Sequence, residues 1–92
     1  MADDQQQAAA RTAAMEVRRR TDEAVARLPL VELLFGVGSP TATAGGEMVN
    51  AVGKALLEAE KPQPLLTDVR DHSHLAADKL EEFIRAAHER VT

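Results

Sequence analysis

The sequence predicts an all-α domain, a small bundle of three to four helices with a long N-terminal helix, completed by oligomerisation. Three observations lead there. Apolar residues recur at helical spacing in three separate stretches. Short connectors containing proline or glycine divide those stretches, as in a bundle. No two segments read as strands that could pair with each other.

The first element is a long helix over 5–28. Gln, Ala, Arg, Met and Glu are good helix formers, and nothing between Gln5 and Leu28 breaks the run. Asp3 or Asp4 would cap its start and oppose the dipole. Ala10, Ala14, Val17, Thr21, Ala24 and Leu28 step by 4 and 3, a narrow stripe of mostly small residues. Glu16 with Arg20, and Glu23 with Arg27, are acid-before-base pairs at i, i+4. Pro29 is expected to end or kink this helix, because the residue before a proline avoids the α region.

The next segment, 30–37, is apolar on every side: Leu30, Val31, Leu33, Leu34, Phe35 and Val37, interrupted only by Glu32 and Gly36. It is too short to cross a bilayer, which takes ~20 apolar residues. It is too uniformly apolar for an ordinary surface helix. Its length suits a strand or two turns of helix. A short helix is the better reading, since the chain offers no partner strand, and Gly36 and Gly38 would end it.

Ser39-Pro40 opens the third element, a helix over 40–61, with serine as N-cap and proline at the first position. Thr41, Thr43, Gly45 and Gly46 weaken its first turns, so its firm part is 47–60. Met48, Val52, Ala55, Leu56 and Ala59 form its apolar face, and Gly45, Val49 and Gly53 a small-residue track. Pro62-Gln63-Pro64 is an extended linker. The C-terminal helical part covers 65–91. A short helix over 65–72 is expected to precede a longer one over 75–91, capped by Ser73. Ala76, Leu80, Phe83, Ala87 and Val91 form the seam of the last helix, with Ile84 beside it. Asp78, Glu81, Glu82, Arg85, Glu89 and Arg90 face water.

Composition bounds the function. With 92 residues the chain is one domain, and its margin of stability is thin. Much of its 45% apolar content is alanine, and Phe35 and Phe83 are its only aromatics. A core this small favours association as a further source of burial. There is no cysteine, hence no disulfide, thiolate metal site or cysteine nucleophile. The acidic, polar N-terminus is unlike a secretion signal, which points to a cytoplasmic protein. Arginine outnumbers lysine and alanine abounds, as expected of a GC-rich bacterial genome. A net charge of −4 and the shortage of aromatics argue against nucleic acid as the main partner.

Motifs for chemistry are few. Asp68, Asp71, His72 and His74 carry ligand types suited to zinc, nickel or iron. Their bland reading, a polar loop and helix cap, explains them better. Ser39 lacks the surroundings of a nucleophile and is accounted for as a cap. Gly46 to Lys54 fails the spacing of a phosphate loop. No enzymatic activity and no cofactor are expected. The expectation is a self-associating protein–protein interaction or assembly module, such as an adaptor or regulatory subunit. Leu30, Leu33, Leu34, Phe35 and Val37 would carry its contact with itself and with another protein. The alternative is a membrane-surface protein that pairs the Arg18–Arg20 patch with the 30–37 run.

Overall fold

The computed structural model describes the backbone of residues 2–91 and the side chains of residues 5–89. Three helices account for nearly all of it: α1 (Ala2–Phe35), α2 (Pro40–Ala59) and α3 (Leu66–Val91). The molecule is a rod of 52 × 17 × 17 Å. Its long dimension is that of α1, whose 34 residues span about 51 Å at 1.5 Å each. A three-helix bundle therefore stands where three to four helices were expected.

Two boundaries differ from the sequence reading. First, α1 does not end at Pro29. The proline lies inside the helix, and the 30–37 run is mostly its last two turns. A mid-helix proline forfeits one backbone bond and crowds the preceding turn. Packing on both sides of it holds the helix together here. Leu28 before it and Val31 after it both pack against the buried cluster of Ala24, Ala44, Met48 and Phe83. Pro29 itself is exposed.

Second, the C-terminal part is one helix rather than two. Ser73 is not a cap. It sits inside α3 and its hydroxyl donates to the Val69 carbonyl at 2.7 Å. Serine in mid-helix can use that back-bond at little cost. The expected cap at Asp3 or Asp4 lies outside the described side chains, as do those of Arg90 and Val91, and the helix already begins at Ala2.

The other end of α1 follows its sequence signals. Gly36 takes φ +94°, a conformation costly for any other residue, and its N–H donates to the Glu32 carbonyl at 2.9 Å. Ser39 then caps α2. Its Oγ accepts from the Ala42 N–H at 3.2 Å and donates to the Gly36 carbonyl at 2.8 Å. One hydroxyl thus starts one helix and ties it to the end of the previous one.

The inward stripes come from the residues that periodicity selects. Ala10, Ala14, Val17, Thr21 and Ala24 of α1 are buried, as are Met48, Val52, Ala55 and Ala59 of α2 and Ala76 and Phe83 of α3. The core forms two clusters along the rod. One gathers Ala10, Ala14, Val17, Ala51, Val52, Ala55, Ala59, Val69 and Ala76. The other is the Met48 and Phe83 cluster near Pro29. Alanine dominates the first cluster, so the backbones approach closely there, while larger side chains fill the second. The closest approach is at Gly45, where a Cβ would stand 2.5 Å from Leu28 Cδ1 and 3.0 Å from the Phe83 ring. That contact explains why α2 tolerates a glycine in its second turn.

Candidate functional site

Helix α1 carries a second stripe opposite its core stripe. Arg19, Glu23, Ala26, Leu30 and Leu33 follow at alternating steps of 4 and 3, and Val37 stands in the turn just beyond the helix. Its upper part is apolar and open to solvent. Leu33 is 80% exposed, Val37 74%, Leu34 66% and Leu30 55%. Phe35 is half-buried, and Val31 turns toward the Met48 and Phe83 cluster. Four of the five residues expected to form a contact surface therefore stand outside the bundle, and Phe35 only in part.

A fifth large apolar residue belongs to this end of the molecule. Ile84 of α3, expected beside the core seam, is 57% exposed. It follows Arg70 and Ala77 by sevens, and both line the groove between α1 and α3. Leu34 follows Arg20 and Arg27 by sevens on α1, and Arg20 lines the same groove. Leu34 and Ile84 thus continue, in sequence register, the helix rows that carry Arg20 and Arg70. Helical phase, counted from Arg70, was the signal for Ile84.

The Arg18–Arg20 patch is split by the same geometry. Arg18 lines the α1–α2 groove, Arg20 lines the α1–α3 groove, and Arg19 lies between them on the outer stripe. Asp22 and Glu23 separate all three from Leu30 along the helix. Glu23 and Arg27 stand 3.9 Å apart on the surface, whereas Glu16 and Arg20 form no ion pair. Among the described residues, no helix is long and apolar enough to cross a membrane.

The candidate metal ligands are not brought together. Asp68 and His72 share a shallow cavity of about 320 Å³ with Lys54, Leu57, Glu58 and Lys61. His74 lies in the α1–α3 groove beside Arg20 and Arg70, and Asp71 is exposed. Because α3 is continuous through Ser73, these four side chains fan around it. Among the described residues no group of three His, Asp or Glu side chains could hold a metal ion.

The cavity at Asp68 has a different purpose. Glu58 is buried there, at the C-terminal end of α2, where the helix dipole disfavours an acid. Lys61 answers it at 2.6 Å. Its hydrogen bond holds the Glu58 carboxyl below the usual range against the opposing effect of burial. The same bond raises the Lys61 ammonium. Further along the rod, Lys79 of α3 bridges Glu47 of α2 at 2.7 Å and Glu82 at 2.8 Å. Those two carboxylates, Glu47 first, push its pKa well above that of a free lysine. The Lys79–Glu47 pair fastens α3 to α2, whereas Glu58–Lys61 is local to the end of α2.

The sequence matches no protein-family model, and comparison with curated proteins and with solved structures gives no match.

Proposed function

We propose that this chain is a non-enzymatic interaction module that associates with itself and presents a surface to another protein, as an adaptor or assembly subunit does. The observation that carries this reading is the exposed cluster of Leu30, Leu33, Leu34 and Val37. Single exposed leucines are ordinary on protein surfaces, but contiguous apolar patches mark contact sites. This patch lies on a rigid helix next to a tight turn, so presenting it costs little ordering on binding. A protein partner suits it better than a lipid surface. The acids Asp22 and Glu23 lie between the arginines and the leucines, where anionic lipid would repel them.

The test is solution mass by light scattering after size exclusion, over a concentration series, for the parent chain and for Leu30→Glu with Leu33→Glu. Association of the parent and its loss in the double variant supports the reading. A parent chain that stays at 9.9 kDa throughout would defeat the self-association in it. Co-sedimentation with anionic vesicles at low salt would favour the membrane-surface alternative instead.

A further inference from the structure

We propose that the occupant of this face is a second copy of the chain, packed antiparallel along α1 about a two-fold axis. The antiparallel pairing rests on the self-association proposed above and adds its geometry. Within α1 the outer stripe reads Arg19, Glu23, Ala26, Leu30 and Leu33, which is the a/d spacing of a coiled-coil seam, and Val37 follows in the turn beyond it. Two such seams can meet in parallel or antiparallel.

In parallel, each residue meets its own copy. Leu30 and Leu33 then pair well, but Glu23 faces Glu23 and Arg19 faces Arg19 within the same seam. Both are exposed and neither has an interhelical partner in its own chain. Like charges so placed oppose assembly. In antiparallel packing Leu30 lies against the partner's Leu33 in two central layers, and Ala26 faces the turn at the end of the partner's α1, where Val37 stands exposed. Leucine fills the central layers, and a small residue meets the turn at each end. Arg19 and Glu23 then lie past the end of the partner's α1. Shifting the register by one heptad the other way brings Glu23 onto the partner's Leu33, so the first register is preferred.

A second complementarity favours the same register. The last turn of α1 contains no basic residue to oppose its partial negative charge. Antiparallel packing brings the partner's Arg27 beside Gly36, at that helix end. The face supplies both halves of this interaction, as an isologous contact requires. The seam is short, about half the size of a standard interface, so the dimer is a weak, concentration-dependent one.

The absence of cysteine makes the test direct, since one introduced cysteine gives one nitroxide label per chain. The label goes at Arg19→Cys, exposed and outside the antiparallel seam. Antiparallel packing places the two labels about 40 Å apart, from 25 residues of axial offset at 1.5 Å each and a lateral spacing of 8–10 Å. Parallel packing places them about 10 Å apart. Double electron–electron resonance on the concentrated protein reads the longer distance, and dipolar broadening of the continuous-wave spectrum reads the shorter. Leu33→Glu should abolish the dipolar signal while leaving the dilute monomer's thermal melt unchanged. Arg27→Glu should weaken association about two- to fivefold. A dimer with labels near 10 Å, or one that survives Leu33→Glu, overturns the antiparallel α1 pairing yet leaves self-association standing. A chain that is monomeric at every concentration overturns both.

Discussion

Three glycines in α2 separate close packing from helix propensity. Gly45, Gly46 and Gly53 all lie inside the helix, and none has positive φ. A glycine in a helix interior costs ~0.8–1 kcal/mol relative to alanine, because it loses more backbone freedom on folding. A Cβ at Gly46 or Gly53 meets nothing within 4 Å. Gly46→Ala and Gly53→Ala should each stabilise the protein by about 0.5–1 kcal/mol. The two sites are seven residues apart, about 10 Å along the axis, so the double variant should gain their sum. Gly45→Ala gains the same propensity but drives its Cβ to 2.5 Å from Leu28 Cδ1. Leu28 is half-buried and its methyl can swing aside, but the Phe83 ring at 3.0 Å is fixed in the core. Overpacking of this kind costs ~1–3 kcal/mol. Gly45→Ala should therefore fall about 1–3 kcal/mol below Gly46→Ala. Urea unfolding followed by circular dichroism measures all four proteins. In a domain of this size 1 kcal/mol shifts Tm by roughly 4–8 °C, so thermal melts give an independent check. If Gly45→Ala proves as stable as Gly46→Ala, the three helices do not meet at this level as described.

The two serines the sequence offers as caps should behave oppositely. Ser39→Ala loses the bond to Ala42 N–H and the tie to Gly36, and should cost about 1–2 kcal/mol in chemical unfolding. Ser73→Ala removes only a back-bond inside α3 and should be neutral or stabilise by up to about 0.5 kcal/mol. Thr41 is wholly buried and its hydroxyl has no partner, so Thr41→Val should stabilise by about 1 kcal/mol. Thr21→Val, whose hydroxyl already donates to the Val17 and Arg18 carbonyls, should change stability by less than about 0.5 kcal/mol. Stability should be flat through neutral pH and fall at both extremes. Glu58, with its pKa lowered by Lys61, stabilises above the ordinary carboxylate range, and that contribution is lost as acid protonates it. Lys61 and Lys79, with raised values, stabilise below the ordinary lysine range and lose the contribution as alkali deprotonates them. Urea midpoints across pH test this, and Lys79→Met should remove part of the alkaline loss.

Where periodicity was long and unbroken, the sequence was a good guide to the fold. Ala10 through Leu28 forms the inner face of α1 because a step of 4 and 3 leaves few other ways to bury those side chains. The tight end at Gly36 and the cap at Ser39 were legible because backbone chemistry favours those residue types there. Punctuation was less dependable. Pro29 and Ser73 carry local signals for a break, and tertiary packing overrides both. Gly45 reads as a weakness in α2 until the neighbouring helices are in place, when the missing Cβ becomes the condition for packing Leu28 and Phe83. The acids and histidines of 68–74, better explained from the start as surface polar residues, are spread around the circumference of one continuous helix.

Pro29 also governs how the apolar run is interpreted. Treated as a break, it detaches 30–37 from α1, and the run then has no phase: any of its side chains could point inward. Treated as part of α1, it passes the phase of the preceding stripe onward. Leu28 is then followed on the inside by Val31 and Phe35, which are the members of the run that are partly covered. Leu30, Leu33 and Leu34 are left on the outside with no further choice, and Val37 follows, exposed, in the turn. The exposed face is therefore a consequence of helix continuity, not of a lack of core to bury it. The bundle could bury more of the run only by rotating α1, and that would expose Ala24, Val17 and Ala14 in turn. Covering both faces of α1 at once requires a surface from outside the chain.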